Sequence, residues 1–448
     1  MSSVFHRVPD RNLPIAVRGD GMYVIDKDGK RYLDSYAGGA CVSCLGHSHT
    51  AAIEAVQRQV GKLAYIHGSM FTSEPLETLG DILTTDAPDG LTKVFFVNSG
   101  SEAVESALMM ARQYFDEIGQ PTRRKVIARR SSYHGATLTS IGVGHQMARR
   151  APFEQILPDV LHIAPCYEYR GRRETETAEQ YGRRVADELE QAILSLGPET
   201  VMAFVAETVT GTTSGAVPPV PGYFKRIREI CDRYGVLLLL DEVFCGLGRT
   251  GTLHACQQDG IAPDFLTLAK GLAAGYQPIG ATLLNTKIYD AIVSGSGVFR
   301  GGFTYSGHAT ACAAAVAVQR TLRSEGFLEN VRGLAALLRS GLEDRFGQHP
   351  NVGDIRGRGM LMTLELVENR ESKTPFPVQN GLSARIYRSA MSRGLIAHAL
   401  GGTVDGVNGD HVVVCPPLIA APEDLEAIVT MLGQSIDTAL SEIRVTAT

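Results

Sequence analysis

The sequence lacks several features that would assign it to particular classes of protein. Its 448 residues include no tryptophan, so folding cannot be followed by tryptophan fluorescence. No apolar run approaches the roughly 18 residues that a membrane-spanning helix requires. Residues 1–14 have neither the charged and apolar regions nor the cleavage site of an export signal. Internal repeats, coiled-coil heptads and low-complexity tracts are also missing. We therefore expect a soluble, cytoplasmic protein without a membrane partner.

The charge is nearly balanced, with 43 basic and 48 acidic residues and a formal net charge of −5. This balance does not indicate a nucleic-acid partner, and we interpret the basic clusters at 123–125, 129–130 and 149–150 as solvated faces. Eight cysteines are spread along the chain. Without an export signal, they indicate reduced thiols rather than a disulfide framework.

One short segment offers soft metal ligands: Cys41, Cys44, His47 and His49 lie within nine residues. Structural zinc sites usually take their ligands from two separated pairs, and this segment has no second pair. We therefore predict no metal site, and we interpret the segment as a small-residue turn with core thiols that leads into a helix near Ala51.

Two apolar strands end in charged residues. Lys270 follows the apolar run 265–269 and precedes Gly271, so a strand delivers one amine into a turn. The run 236–240 contains four leucines and is followed by Asp241, and burying such a carboxylate is costly unless a cation meets it. Together they indicate a cofactor that needs an amine and an anion. Pyridoxal 5′-phosphate (PLP) has this demand, because its aldehyde forms a Schiff base with a lysine and its pyridine nitrogen is held protonated by a carboxylate.

A phosphate-binding element would complete such a site. The turn Ser99-Gly100-Ser101 lies between the apolar strand 94–97 and a helix whose apolar residues recur along one face. Backbone amides and the dipole at a helix start bind phosphate, and Gly100 and Ser101 allow an anion to approach closely. Such a turn is weak evidence alone. Its order before the Asp-ended and Lys-ended strands strengthens the prediction.

The chain is long enough for two subdomains around one site. Alternating strands and helices predict an α/β fold, a mainly parallel seven-stranded sheet covered by helices on both faces. Its predicted strands are 94–97, 125–129, 161–164, 202–206, 236–240, 265–269 and 279–284. Because ligands bind outside the carboxyl ends of such strands, the side chains that follow several of these strands are expected to converge on one crevice: Ser99, Gly100, Ser101, Glu207, Asp241 and Lys270.

We predict three segments along the chain. Residues 66–325 form the large cofactor-binding domain. Residues 1–65, with a hairpin at 22–32, and residues 326–448, with strands near 360–366 and 411–414 and a final helix at 423–443, together form a smaller α+β domain. Both chain ends would thus contribute to the second subdomain.

Five ordered motifs extend the pattern, and with them the chain resembles the class III aminotransferases, PLP enzymes of fold type I, and within them the ω-transaminase branch. The resemblance runs from about residue 21 to residue 417. The motifs are NSGSEAVE at 98–105, SYHGAT at 132–137, LLDEVFCGLGRTG at 239–251, TLAKGLAAG at 267–275 and TYSGHATACAAA at 304–315.

The resemblance implies a role for each motif residue. Lys270 would carry PLP covalently, and Asp241 would pair with the pyridinium nitrogen. Tyr133 would stack on one face of the cofactor ring and Val243 would pack on the other. The remaining cofactor-binding residues implied are Ser99, Gly100 and Ser101 at the phosphate, Glu207 near the cofactor, and Thr304, which would reach the phosphate of the neighbouring subunit. The active unit would be a homodimer, alone or paired into a tetramer. His134 is interpreted as structural.

The residues expected to bind the substrate depart from the pattern of the ω-transaminases. Many ω-transaminases carry an arginine shortly before the PPL segment, where it pairs with a carboxylate, but here Asn408 occupies the region. An amide cannot replace a bidentate guanidinium. We propose Arg300, four residues before Thr304, as the substitute anion binder in the partner's pocket. Ala40 stands where relatives often have a bulky aromatic residue, which indicates a roomier pocket.

The predicted reaction is ping-pong transfer of an amino group from an amine or ω-amino acid donor to a keto acid such as pyruvate. Three alternatives remain open. An ornithine- or 4-aminobutyrate-type aminotransferase using 2-oxoglutarate would share every cofactor residue. An aminomutase or decarboxylase on the same fold would need no external acceptor. An inactive binding or scaffold protein would not need Lys270, Asp241 and Ser101 together.

Overall fold

The computed structural model describes residues 3–9 and 11–446. In chain order, strands β1 to β15 span Ala16–Asp20, Tyr23–Asp26, Arg31–Asp34, Leu91–Val97, Lys125–Arg129, Val160–Ile163, Val201–Glu207, Leu237–Asp241, Phe265–Leu268, Gly280–Asn285, Val352–Arg358, Leu361–Leu366, Leu395–Ile396, His398–Gly401 and Asp410–Val414. Helices α1 to α13 span Thr50–Val60, Glu74–Thr85, Gly100–Glu117, Leu138–Val143, Met147–Arg150, Glu168–Gly171, Ala178–Leu196, Tyr223–Tyr234, Thr286–Ser294, Ala309–Leu322, Phe327–Phe346, Leu382–Arg393 and Pro422–Thr446.

The central sheet has seven strands in the order β4-β10-β9-β8-β7-β5-β6. Strand β10 runs antiparallel to both of its neighbours, and the pairs from β9 to β6 are parallel. The predicted seven-stranded, mainly parallel sheet is therefore confirmed. Since β4 runs in the same direction as β9, the carboxyl ends of six strands lie at one edge, which is where ligands bind on such sheets.

The leucine run of β8 is explained by burial on both faces. Leu237 and Leu239 pack into one apolar cluster with helix α3, whereas Leu238 and Leu240 pack into the other, larger cluster. Successive side chains of a strand point to opposite faces, so a central strand covered by helices on both sides needs apolar residues at every position. This rigid strand then holds Asp241 at its end.

The two ends of the chain meet in the smaller sheets. Strands β1, β2 and β3 form an antiparallel ribbon, and β13 from the C-terminal region pairs in parallel with β3. Strands β11, β12, β15 and β14 form an antiparallel sheet. Helix α1, although N-terminal, packs against α10 of the central region. The N-terminal and C-terminal regions thus share one sheet through β3 and β13, and the division into a large and a smaller domain stays a prediction.

The interpretation of the basic clusters as solvated faces is wrong for Arg129 and Arg150, whose exposed fractions are 3% and 8%, whereas Arg130 is exposed. The guanidinium of Arg129 donates to the carbonyl oxygen of Glu207. Arg150 donates to the carbonyl of Gly144 at 3.0 Å and pairs with Glu154 at 3.1 Å. Both buried guanidinium groups donate to backbone carbonyls, which compensates the cost of their burial.

The state of the cysteines and the hydropathy of the helices can be compared with the expectations from the sequence. All eight cysteines are buried and free. Among the described residues, no helix is long and apolar enough to cross a membrane.

Candidate active site

The predicted strand-end residues line one cavity of about 570 Å³. It lies at the carboxyl edge of the central sheet, where β4, β7, β8 and β9 end and the loop after β5 turns back. The structure brings together nine of the predicted side chains and turns there: Ala40, Ser99, Gly100, Ser101, Tyr133, Glu207, Asp241, Val243 and Lys270. Residues distant in sequence thus converge because parallel strands end at one edge.

Lys270 places its amine inside this cavity. Its backbone has a φ of 45° directly after β9, a left-handed conformation that turns the chain out of the strand. The Nζ atom lies 4.2 Å from the centroid of the Phe244 ring. Burial lowers the pKa of the amine below its ordinary 10.5, although the negative charges of Cys41, Asp241 and Glu207 act in the opposite direction. A larger share of the amine is therefore neutral near pH 7 than for an exposed lysine.

Asp241 is held from two sides at the end of β8. Its Oδ1 atom accepts a hydrogen bond from the backbone amide of Val243 at 2.9 Å, and its Oδ2 atom lies 2.8 Å from Nδ1 of His134. The other ring nitrogen of His134 is buried and has no partner among the described residues. The interpretation of His134 as merely structural missed this contact, because the pairing joins positions 107 residues apart.

Helix α3 begins at the small-residue turn, as predicted. Ser99 caps the helix by accepting from the amide of Glu102 at 3.2 Å, and the Oγ atom of Ser101 accepts from the amide of Ala136 at 3.0 Å. A Cβ atom added at Gly100 would lie 2.7 Å from a methyl of Val243. The glycine thus keeps the helix start close to the loop after β8.

Glu207 ties two cavity loops to the end of β7. Its Oε1 atom accepts from the amide of Tyr133 at 3.1 Å, and its Oε2 atom accepts from the amide of Gly211 at 2.6 Å. Burial raises the pKa of this carboxyl, and the charge of His134 and these two amides act in the opposite direction. Glu207 therefore positions Tyr133 through the backbone.

The outer wall of the cavity is aromatic and basic, and most of it was not predicted. The ring of Tyr36 stacks on that of His398 with centroids 4.3 Å apart and lies 6.4 Å from the ring of Phe244. Two arginines also line the wall, Arg7 and Arg149. Phe244 belongs to the motif around Asp241, but His398 and Arg149 lie in segments that carry no signal in a single sequence.

Three predicted residues do not line the cavity of their own subunit: Thr304, Arg300 and Asn408. Thr304 is exposed, and its carbonyl oxygen accepts from the Tyr65 hydroxyl at 2.7 Å. Arg300 is exposed beside α3, where its amide donates to Gln113 at 3.1 Å. The side chain of Asn408 donates to Asp405 at 2.7 Å. Any contribution of Thr304 or Arg300 to a cavity therefore requires a second subunit and stays a prediction.

The cysteine–histidine segment spreads its side chains in different directions. Cys41 lies 3.7 Å from the carbonyl oxygen of Phe244, Cys44 lies 3.8 Å from that of Gly271, and His47 faces Asp34 at 3.4 Å. Within residues 3–9 and 11–446, no group of three or more His, Cys, Asp or Glu side chains is placed to hold a metal ion.

The cavity fits the chemical demands of PLP. It offers an amine at Lys270 and a carboxylate fixed at Asp241. The free amides at the start of α3 and the close approach at Gly100 suit a phosphate. Within the described part of the chain, the imidazole of His134 bonds through Nδ1 alone, which suits a histidine that orients a carboxylate.

Comparison with known proteins decides the family. The sequence model of the family "Aminotransferase class-III" matches residues 6–436. The chain belongs to the class-III aminotransferases. Enzymes of this family transfer amino groups and depend on PLP, so the resemblance drawn from the five motifs is confirmed and the protein is an aminotransferase.

Individual relatives agree with this assignment. An uncharacterized aminotransferase of Schizosaccharomyces pombe is 41% identical over 441 residues, which are 98% of this chain and 96% of the relative. A probable mitochondrial gamma-aminobutyrate transaminase of Oryza sativa subsp. indica is 36% identical over 424 residues, 94% of this chain and 81% of the relative. The crystal structure of the omega-transaminase from Pseudomonas jessenii in complex with PMP has a TM-score of 0.90 and 35% identity, and the match covers 96% of this chain and 94% of that one. The similarity confirms the fold type I architecture.

Proposed function

We propose that this class-III aminotransferase binds PLP through Lys270 and moves an amino group from an amine or ω-amino acid donor to a keto acid such as pyruvate. The observation that carries the proposal is the convergence of Lys270, Asp241 and the start of α3 on one cavity. An amine, an anion and a phosphate-binding helix start in one place meet the three demands of the cofactor.

Each side chain has a part in holding the cofactor. Lys270 would form the covalent link, and Asp241 would hold the ring nitrogen protonated. The amides of Gly100 and Ser101 would bind the phosphate, with Thr304 of the second subunit. Tyr133 and Val243 would pack against the two faces of the ring, and Glu207 would keep Tyr133 in place through its backbone amide.

When bound, PLP supplies an electron sink that stabilises the negative charge left on the donor carbon. Lys270 would act as the general acid and base. Its Nζ atom, once released, is neutral for a larger part of the time near pH 7 because burial lowers its pKa. The neutral amine would move a proton from the amine-bearing carbon of the donor onto the bound cofactor, and in the second half-reaction the same atom would move a proton from the cofactor to the carbon of the acceptor.

The aromatic wall would limit the access of water and shape the substrate pocket. Tyr36, Phe244 and His398 form it, and the small side chain of Ala40 lines the same cavity. We propose that this space admits a donor with a bulky group. Replacing Ala40 by tryptophan should then reduce turnover of a bulky amine such as 1-phenylethylamine far more than turnover of alanine.

The assembly is part of the proposal. Thr304 does not line the cavity of its own subunit, and it lies beside exposed aromatic side chains, Tyr65, Phe71 and Tyr305. Exposed apolar surface of this kind is typical of an interface. A homodimer, alone or paired into a tetramer, would bring Thr304 to the phosphate of the second site. The compartment stays a prediction from the sequence.

A half-reaction panel tests the proposed function. The visible spectrum of the PLP-loaded protein is followed while single donors are added without an acceptor: alanine, 1-phenylethylamine, ornithine and 4-aminobutyrate. Bleaching by a donor, reversed by a keto acid, is the expected result, and pyruvate is compared with 2-oxoglutarate. If donors are consumed to rearranged or decarboxylated products without any acceptor, the enzyme is an aminomutase or decarboxylase. If no donor changes the spectrum, the proposed donors are wrong.

A further inference from the structure

The cavity contains a cation that the cofactor site does not use. Besides Lys270, its positively charged lining residues are Arg7 and Arg149, and its carboxylates are Asp241 and Glu207. Both carboxylates are buried and already accept hydrogen bonds from His134, Val243, Tyr133 and Gly211. Among the described residues, no carboxylate lies within ion-pair distance of Arg149. A guanidinium without a counter-ion in a cavity can bind an anionic group of a ligand.

The position of Arg149 is set by Tyr133. The guanidinium carbon lies 4.9 Å from the centroid of the Tyr133 ring, and Nη1 donates to the hydroxyl of Tyr133 at 3.5 Å. The long side chain thus rests on an aromatic surface that Glu207 holds in place. Its planar fork is held at the outer end of Tyr133 and is half-buried rather than free in solvent.

His398 lines the same cavity as Arg149 and Lys270. Burial lowers the pKa of His398 to about 4, and the positive charges of Arg149 and Lys270 act in the same direction. The imidazole is therefore neutral at pH 7, so it adds no positive charge beside the two cations in this cavity. A substrate whose reacting carbon lies at Lys270 would extend its acidic group along this wall.

The loop 402–409 offers no cation at Asn408, and it packs on α5, the helix that contains Arg149. The amide of Asn408 is occupied by Asp405, whose carboxylate also accepts from the backbone amides of Val407 and Asn408. A Cβ atom at Gly406 would lie 3.1 Å from the side chain of Met147, so this loop packs directly on α5. Arg149 therefore lies in the helix that this loop contacts, α5.

We propose that Arg149 binds the carboxylate of the acid substrates, the keto acid acceptor and any amino acid donor, and that amines without a carboxylate do not need it. This inference deepens the proposed function, on which it rests for the identity of the substrates. Arg7 is the competing cation, but it is exposed and lies in the N-terminal segment before β1. Arg300 of a second subunit is the other competitor, so both residues serve as controls.

A binding experiment that needs no turnover tests the site. The PLP-loaded enzyme is treated with phenylglyoxal, which modifies arginine, in the presence of propionate or of neutral propionamide at one ionic strength. Peptide mass spectrometry then gives the labelling rate of each arginine. We expect propionate to slow the labelling of Arg149 and to leave Arg7 and Arg300 unchanged, and propionamide to have no effect. Selective protection of Arg7 or Arg300, or an unchanged rate at Arg149, would overturn the proposal.

Kinetics of matched variants give the second readout. Arg149→Ala should raise KM for alanine and pyruvate by about 10- to 100-fold, the loss expected for a charge-assisted pair, and should change KM for 1-phenylethylamine by less than about threefold. Arg149→Lys keeps the charge but loses the planar fork, so it should restore only part of the affinity. A rise in KM for the acids that is larger in Arg7→Ala or Arg300→Ala than in Arg149→Ala would assign the carboxylate to that competing cation instead. An equal loss for the amine and the acids in Arg149→Ala would contradict a carboxylate site.

The two experiments separate this inference from the proposed function. If propionate protects Arg149 but no donor bleaches the spectrum, the carboxylate site stands and the proposed reaction fails. If amino transfer proceeds and Arg149→Ala has the same KM for alanine and pyruvate as the wild type, the proposed reaction stands and the inference about Arg149 fails.

Discussion

The Nδ1 atom of His134 lies 2.8 Å from Oδ2 of Asp241, and both side chains are buried. Oδ1 of the same carboxylate accepts from the amide of Val243 at 2.9 Å. A buried carboxylate with two fixed donors keeps one orientation, so the cofactor nitrogen would meet it without rearrangement. His134 is therefore a positioning residue for Asp241.

Replacing His134 by alanine should lower kcat by about 10- to 100-fold, because a hydrogen bond to a charged group contributes about 1.5–3 kcal/mol. His134→Asn should keep most of the activity, since its amide nitrogen can occupy the place of Nδ1. The measurements are kcat, KM for the donor and the melting temperature of each variant. Equal activity of the two variants would show that the donor to Asp241 has no part in catalysis.

Replacing Gly100 by alanine should weaken PLP binding. The new Cβ would lie 2.7 Å from a Val243 methyl, and relieving such a clash costs about 1–3 kcal/mol, which corresponds to roughly 5- to 150-fold in Kd. Gly333→Ala is the matched control, because a Cβ atom added there, in α11, would meet no other side chain or element of the described residues within 4 Å. PLP titration of both apoproteins measures the difference. A Kd for Gly100→Ala equal to that of the control would show that this approach is not part of the cofactor site.

The thiol of Cys41 should influence the reactivity of Lys270. Burial, which raises the pKa of Cys41, is outweighed by the Cys415 thiol and by the charges of Arg249 and Lys270, so the pKa falls from 9.0 to about 6. The resulting thiolate raises the pKa of Lys270, and burial, the larger effect, lowers it. Only the neutral amine reacts with an aldehyde, so attachment of PLP to the apoprotein should speed up as pH rises and level off below the ordinary lysine pKa of 10.5.

Cys41→Ser removes the thiolate, so the pKa of Lys270 should fall further and the rise in rate should move to lower pH. The control is Cys312→Ser, because burial raises the pKa of Cys312 to about 12 and keeps that thiol neutral. Stopped-flow absorbance at a series of pH values gives the profiles. A profile of Cys41→Ser that moves to higher pH, or not at all, would refute the charge on Cys41.

Subunit mixing should locate Thr304. Thr304→Glu places a negative charge at the predicted phosphate, and Lys270→Ala removes the amine, so each variant alone should be inactive. If Thr304 serves the other subunit, a mixed dimer contains one site with both native residues, and equal mixing should restore about a quarter of wild-type activity. Activity is measured after joint refolding or co-expression. No recovery in dimers shown to be mixed would place Thr304 in its own subunit's site, and activity of Thr304→Glu alone would place it in neither site.

The sheet and the inner site were predictable from the sequence because both depend on local patterns. A fully apolar strand such as β8 has a recognisable composition, and polar residues at strand ends, Asp241 and Lys270, meet because parallel strands share an edge. Arg149 and His398 could not be predicted in this way. One lies in a four-residue helix and the other in a strand outside the central sheet, so only tertiary packing brings them together.

The two buried arginines show the same limit. Arg129 and Arg150 sit in short basic runs, which usually face solvent, and their burial follows from distant carbonyl oxygens that no sequence window contains. The partner of His134 is likewise set by tertiary structure. Sequence patterns thus predict which element a residue ends, whereas its neighbours across the cavity require the fold.

The most direct test of the account is to find where the cofactor is attached. The purified enzyme is loaded with PLP and reduced with borohydride, which makes the link permanent, and its peptides are then analysed by mass spectrometry. We expect a phosphopyridoxyl group on Lys270, and its loss when an active amino donor is added before reduction. Attachment to another lysine, such as Lys287 or Lys373, or a label on Lys270 that survives an excess of every donor, would contradict it.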